Sequence, residues 1–504
     1  MLLPDLPPSE APTPTPVVLN LTIENALVED GAHMGLLGLS YRRRFTPEWS
    51  GGVAVYSATT GTHGGFFGFG LQGAWHAPLE RWLGPEWHGE AGAFAGGGGG
   101  SPGWVAGGLM LRSHAEISRD AKPFRLGLGV SRIVFKDGRA RSTHPYLSVQ
   151  WDTASFIGPA FSDTVVPAVA GMRALPQELA AIGGVYQPRK SPRRDGTGGT
   201  PALQFGGLAW RQGLATSPWL GAQPYASLMT LGAMGGGYDG YAELSGGLGL
   251  RWQMGPQWQL RAEGLIGSAG AGATVDTGGG LLAKTGAAAV WTPSPGWSMG
   301  AYAGLLKTRG LFSARELRLE LGWQGIDWQP VPGDRLAMTD TFSPSHAPQA
   351  AAAGAWSPWG VSTSWKHYSG TVREVGPPQH VPVLGLKLER ALTPNWRVLA
   401  EAGTAVGGMA GGYATGQLGA GWMQARQPGA WRWGAEASLG AAGGGNVDVN
   451  GGLFAQAQLQ LRREFAPGWS WQLDAGQLRT VRGGLKSQMV GVSLVSEFGR
   501  LQAP

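Results

Sequence analysis

A Pro-x-Trp triplet returns along this chain at a nearly constant interval, and that beat restricts the fold more than any other feature. It stands at Pro47–Trp49, Pro85–Trp87, Pro102–Trp104, Pro256–Trp258, Pro295–Trp297, Pro394–Trp396 and Pro467–Trp469, with a shortened Pro218–Trp219. Trp49 and Trp87 are 38 residues apart; Trp219, Trp258 and Trp297 are separated by 39 and 39, and Trp396, Trp431 and Trp469 by 35 and 38. Proline presets the φ of a turn, and tryptophan favours a boundary that is apolar on one side and wet on the other. Between visits to such a boundary the chain has room for two strands of about 10–14 residues, and about 9–11 residues suffice to cross a bilayer with tilt. The beat therefore reads as one rim of a long antiparallel barrel, with Pro102–Trp104 alone falling on the opposite rim.

Strand faces agree with that reading. Leu384, Leu386 and Leu388 oppose Gly385, Lys387 and Glu389; Leu317, Leu319, Leu321 and Trp323 oppose Arg318, Glu320 and Gly322. Leu453, Ala455, Ala457, Leu459 and Leu461 oppose Gln456, Gln458, Gln460 and Arg462. One face is apolar and the other small, polar or charged, the pattern of a barrel with lipid outside and water inside. No window reaches the roughly 18 consecutive apolar residues of a membrane-spanning helix. The opposite rim falls at Gly-rich segments such as 60–65, 95–103, 233–240, 267–280 and 441–452, which read as tight hairpins.

Composition excludes several other classes. Charged residues make up only 14% of the 504, against 87 Gly and 23 Trp, and the net charge of +6 is too dilute to imply nucleic-acid binding. Cysteine is absent from the 504 residues, so no disulfide, thiolate metal site or acylated Cys is expected. The nine His follow no metal-ligand spacing. Asp276 and Asp448 sit in matching Gly-rich loops, where Asp serves a turn without needing an ion. No nucleophile elbow is present, and runs such as 95–100 lack the Lys-Ser/Thr of a phosphate loop. No enzyme and no cofactor are expected. The opening residues show neither a basic n-region nor an apolar h-region.

The chain also repeats itself. Residues 296–313 match 468–487, and 275–283 match 447–455, at a shift of 172; 35–49 corresponds to 383–396, and 84–100 to 255–272. These matches divide the chain into a Pro-rich tail (1–16), barrel repeats at 17–157, 181–326 and 356–499, connections at 158–180 and 327–355, and a tail at 500–504. Each repeat holds about eight strands, about 24 in all, which puts both termini on the Trp rim. Two closures compete: one large barrel, or three eight-stranded barrels in a row. Eight strands leave room only for their own side chains. The inward faces carry small residues, for example Gly68, Gly70, Gln72 and Ala74, or Gly127, Gly129 and Ser131. That favours one all-β transmembrane barrel of about 24 strands, with a backbone radius on the order of 24 Å. The connections, the N-terminal tail or a partner would then gate its lumen.

Val490, Val492, Leu494 and Phe498 form an apolar alternation ending in an aromatic, close to the C-terminus. It resembles the assembly signal of bacterial outer-membrane β-barrel proteins, although six residues follow Phe498 here. The resemblance implies the bacterial outer membrane as the compartment. Trp49, Trp87, Trp219, Trp258, Trp297, Trp396, Trp431 and Trp469 are the expected membrane-interface girdle; a soluble propeller would need four short strands per period, where two longer ones are found. Lys387, Glu389, Arg397, Glu401, Arg318 and Glu320 are the expected lumen-facing charged patch, gripping a solute or pairing across strands. Arg42, Arg43 and Arg44, and Lys190, Arg193 and Arg194, are candidate lipid-phosphate contacts, with solvated charge the simpler reading. The expected function is a wide conduit or translocation channel for a polymer or protein. The alternative is a scaffold whose lumen is occupied, and a passive porin stands third. Expected partners are the lipid bilayer and a periplasmic or luminal protein, and no nucleic acid.

Overall fold

The computed structural model describes residues 14–27, 31–61, 64–100, 105–160, 172–189, 191–193, 196, 198–214, 221–238, 240–270, 274–330, 355–427 and 429–502. Residues 1–13 of the tail, 161–171 of the first connection and 331–354 of the second, and with them the expectation that these segments plug a pore, lie outside the described residues. So do Trp104, Lys190, Arg194 and Trp219.

Twenty-four strands carry the described chain. The first eight are β1 (Pro14–Leu27), β2 (His33–Arg44), β3 (Trp49–Gly61), β4 (Phe67–Ala77), β5 (Trp87–Gly99), β6 (Leu109–Ala121), β7 (Phe124–Phe135) and β8 (Arg141–Gly158). The next eight are β9 (Met172–Pro188), β10 (Leu203–Gly213), β11 (Gln223–Gly235), β12 (Ala242–Gln253), β13 (Trp258–Gly270), β14 (Leu281–Ser294), β15 (Trp297–Thr308) and β16 (Ser313–Pro330). The last eight are β17 (Ala355–Thr371), β18 (Gln379–Ala391), β19 (Trp396–Ala405), β20 (Ala414–Met423), β21 (Trp431–Gly443), β22 (Leu453–Ala466), β23 (Trp469–Thr480) and β24 (Lys486–Gln502).

The ladder closes three times. β1 pairs antiparallel with β8 from Pro14↔Phe156 to Glu24↔Tyr146. β9 pairs with β16 from Met172↔Pro330 to Pro188↔Ala314, and β17 pairs with β24 from Ala355↔Gln502 to Ser369↔Gln488. The single large lumen expected from the sequence is therefore not formed; three narrow barrels stand side by side. The small inward residues misled because they are the floor under large neighbours. A Cβ on Gly129 would lie 2.5 Å from the Tyr146 ring, and one on Gly127 would lie 2.3 Å from both Glu116 Oε1 and Ser148 Oγ. A Cβ on Gly249 would lie 2.2 Å from the Tyr225 ring. Pairing glycine with tyrosine, arginine or glutamate across strands fills an eight-stranded interior to its axis.

The barrels are arranged cyclically. The third strand of each packs on the fifth strand of the next: β3 on β13, β11 on β21, and β19 on β5. Moving 172 residues along the chain carries Arg141–Gly158 onto Ser313–Pro330, and Trp297–Thr308 onto Trp469–Thr480. At the rim that holds the strand ends of β8, β16 and β24, the barrels share a small apolar hub of Phe156, Trp328 and Leu501. Gly158 pairs there with Gly499, and Arg500 Nη2 lies 2.7 Å from Asp327 Oδ1.

At the other rim the Gly-rich segments do more than turn. Gly97, Gly99 and Gly107 approach Ala405, Gly412 and Gly407; Gly64 and Gly65 approach Gly279 and Gly270; Gly232 and Gly240 approach Ala441 and Gly444. Gly411 N donates to Ala106 O at 2.8 Å across one seam, and Ser268 Oγ donates to Ala58 O across another. Backbones meet there because no side chain separates them.

Candidate functional site: three sealed interiors and a tryptophan rim

The girdle residues have a common structural position. Trp49, Trp87, Trp258, Trp297, Trp396, Trp431 and Trp469 each begin a strand on the same rim. Trp49, Trp258 and Trp396 are more than half exposed on the outer surface. The turn before them repeats in detail. Phe45 N donates to Trp49 O at 2.9 Å and Leu392 N to Trp396 O at 2.8 Å. Thr46 Oγ1 accepts from Trp49 N at 3.1 Å and Thr393 Oγ1 from Trp396 N at 2.9 Å. Between the rims the outer faces carry exposed apolar residues such as Ile117, Leu128, Leu248, Ile266, Leu319 and Leu459. Val490 and Val492 belong to this outer face and are exposed, while Leu494 and Phe498 are half-buried. An apolar belt edged by tryptophan around closed antiparallel barrels is the form of bacterial outer-membrane proteins, and this chain is located in that membrane. The Trp rim has two-residue turns between β6 and β7, β14 and β15, and β22 and β23, short as periplasmic turns are, and the long stretches between strands after β8 and after β16 also leave from it.

Inside, each barrel has two layers. Beneath the Gly-rich rim lies a dry apolar plug. In the first barrel it includes Met34, Tyr56, Phe66, Phe94, Met110 and Phe135, with Tyr56 edge-on to Phe94 at 5.1 Å. In the second it includes Ile182, Tyr186, Phe205, Leu231, Tyr241 and Phe312, and in the third Tyr368, Val383, Tyr413, Val449, Phe454 and Met489.

Below each plug is a network of buried ions. In the first barrel the Arg42 guanidinium forks onto Glu90 at 2.7 and 3.0 Å. Arg112 Nη2 donates to Glu24 at 2.7 Å, and His144 Nε2 lies 3.0 Å from the same carboxylate. In the second, Arg211 binds Glu178 and Glu320 at 2.9 and 2.8 Å, and Arg318 binds Glu263 and Glu320, both at 2.7 Å. Lys284 Nζ lies 3.1 Å from both Glu243 and Glu316. In the third, Arg462 binds Glu389 and Glu497, both at 2.9 Å, while Lys387 binds Glu389 and Glu436, also at 2.9 Å. Arg397 lies 3.2 Å from Glu389, and Lys366 pairs with Glu401.

The expected charged patch is thus split between two barrels: Arg318 and Glu320 in the second, Lys387, Glu389, Arg397 and Glu401 in the third. All six are buried, no more than 9% exposed. Charges this deep persist only when paired and hydrogen-bonded, and the counts reflect it. Five buried cations (Arg211, Arg251, Arg261, Lys284, Arg318) meet five buried anions (Glu178, Glu243, Glu263, Glu316, Glu320) inside the second barrel, while its sixth buried acid, Asp327, pairs with Arg500 at the hub. Five (Lys366, Lys387, Arg397, Arg432, Arg462) meet five (Glu389, Glu401, Glu436, Asp474, Glu497) in the third. The first departs: Arg42 and Arg112 face Glu24, Glu90 and Glu116, with His114 and His144 among them.

The arginine triplet is divided by strand alternation. Arg42 points inward to Glu90, and Arg44 lies 3.9 Å from Asp152. Arg43 points outward. Asp276 serves its own turn, its Oδ1 accepting from Gly278 N at 3.0 Å, whereas Asp448 reaches the neighbouring turn between β23 and β24, its Oδ2 accepting from Gly484 N at 3.0 Å. No cluster of three metal-ligating side chains occurs among the described residues. Sequence reasoning missed the apolar plugs and the contacts between barrels. The plugs had a legible signal, since Phe94, Phe205 and Phe454 interrupt inward faces that are otherwise small or polar.

No protein-family model matches the chain, and no curated protein matches it in sequence. Among solved structures it is similar to the outer membrane protein Ail of Yersinia pestis, at 13% identity over 29% of this chain and 98% of that one, with a TM-score of 0.19. It is also similar to the ferric enterobactin receptor of Pseudomonas aeruginosa, at 11% identity over 97% and 82% of the two chains and a TM-score of 0.29. A third similarity is to Pseudomonas aeruginosa OpdQ, at 8% identity over 96% and 97%, with a TM-score of 0.22. At these scores the likenesses carry no argument, and the reading of this chain rests on its own strand pairing.

Proposed function

We propose that the protein is an outer-membrane scaffold whose three barrels are each filled by their own side chains and conduct little or nothing at rest. The carrying observation is the double seal: an apolar plug at one rim above an ion network that is itself inaccessible to water. A polymer or folded protein has no lumen of the required width to cross. What the chain offers instead is a broad apolar belt holding two rims at fixed spacing, on which a periplasmic partner is proposed to dock.

Planar-bilayer recording of the purified protein tests this. The expected trace is flat at moderate voltage; stable conductance steps would overturn the scaffold reading. A second reading is ion passage through one barrel after its network rearranges, favoured by the balanced column of five cations and five anions in the second and third barrels. It predicts brief, voltage-dependent steps that become frequent when Phe205→Ala thins the plug.

A further inference from the structure

We propose that the seam between the first and third barrels is a binding site for one anionic phospholipid of the periplasmic leaflet, its phosphate held by Arg43. Two corresponding seams carry the argument. Arg43 and Arg390 occupy matching places: each is on the second strand of its barrel, points outward, and lies six residues before a girdle tryptophan, Trp49 or Trp396. Between the second and third barrels, Arg390 is enclosed. Its guanidinium carbon sits 3.4 Å from the ring centre of Trp323 on β16 and 5.7 Å from that of Trp359 on β17. Cation–π contact of this kind replaces a counter-ion.

Between the third and first barrels the same positions hold small residues. Trp323 pairs with the strand-opening Trp297, and the residue paired with the strand-opening Trp469 is Ser496. Trp359 pairs with Arg390, and the residue paired with Arg43 is Val17. Where two indoles fill one seam, the other has an open crevice of 950 Å³. That is the size of a small-molecule site, which spans about 300–1,000 Å³. Tyr41, Val53 and Leu71 of the first barrel and Val361, Leu494 and Phe498 of the third line it, together with Arg43, Arg132 and Ser496.

Arg43 has no ion pair or hydrogen bond within the described residues; its Nε, like that of Arg390, is buried without a hydrogen-bond partner, but no indole covers its guanidinium as Trp323 covers that of Arg390. An unpaired guanidinium beside an apolar crevice needs an anion attached to something apolar. Arg43 pairs with Gly51, two residues into the strand that Trp49 begins, which puts it at headgroup level. A phospholipid meets both demands: acyl chain along the crevice, phosphate on the fork. A free anion would satisfy only the charge.

The test is native mass spectrometry of the full chain released from nanodiscs of phosphatidylethanolamine and phosphatidylglycerol. One phosphatidylglycerol is expected to stay bound per chain. Arg43→Ala should lower the bound fraction roughly tenfold, and Ser496→Trp, which installs the indole of the other seam, should abolish retention. Arg390→Ala should leave retention unchanged. Each variant is checked for the heat-dependent gel shift of a folded barrel. Equal retention by wild type and a folded Arg43→Ala variant, or full displacement by millimolar inorganic phosphate, would overturn the proposal.

Discussion

Each interior depends on the exchange of one large side chain for one glycine across a strand pair. The Arg318 guanidinium lies 3.8 Å from the Tyr302 ring centre, and that ring in turn fills the place a Cβ on Gly286 would take, at 2.6 Å. Gly249→Ala must push the Tyr225 ring away, an overpacking cost of about 1–3 kcal/mol. Gly264, whose Cβ would meet nothing within 4 Å, should accept alanine with little change. Urea unfolding from lipid vesicles, followed by tryptophan fluorescence, separates the two. The ions are less forgiving. Glu178 accepts from Arg211 and Arg261 at 2.9 and 2.8 Å, so Glu178→Ala leaves buried guanidinium groups uncompensated, at about 3–5 kcal/mol. If the same assay gave under 1 kcal/mol, water would have to reach those arginines.

Among the elements, the rim turns and the fifth strands have opposite duties. The Thr-Pro-x-Trp turns fix register by hydrogen bonds to the threonine hydroxyl, so Thr393→Ala should cost about 1 kcal/mol without altering the pairing of β18 and β19. Unchanged stability would assign the turn to proline alone. The ends of β5, β13 and β21 instead carry the barrel-to-barrel contacts. A Cβ on Gly99 would lie 2.0 Å from Gly412 N, and backbone cannot yield as a flexible side chain does. Gly99→Val should therefore separate the first and third barrels while each stays folded. A cysteine pair introduced across the seam would lose its cross-linking in that variant, whereas the gel shift on heating persists. Loss of both would mean that β5 needs the seam in order to fold.

Three closed barrels in cyclic contact make one chain behave as a trimer, and the covalent connection is not what holds it together. The hub of Phe156, Trp328 and Leu501, the Arg500–Asp327 pair and three glycine seams all cross between barrels. Cleavage at a protease site inserted near residue 340 should thus leave the fragments co-purifying in mild detergent. Their separation would show that the seams are too weak to act without the connection.

The alternation of Leu384, Leu386 and Leu388 against Lys387 and Glu389 determined strand, face and membrane, because a period of two is a local property of the chain. The Trp beat likewise determined which strand ends share a rim, and the 172-residue shift showed that the units recur. Closure was decided elsewhere. Whether β8 pairs with β1 or with β9 depends on residues 130 positions apart, and no local pattern distinguishes a glycine facing water from one lying beneath Tyr146. The inward Gly127 and Gly129 looked like an empty wall until Glu116 and Tyr146 were seen to lean over them. Likewise Arg42, Arg43 and Arg44 are one basic run in sequence. Only the fold turns the first toward Glu90 and leaves the second facing an open seam, because neighbours in a strand point to opposite faces and the partner on each face comes from a distant part of the chain.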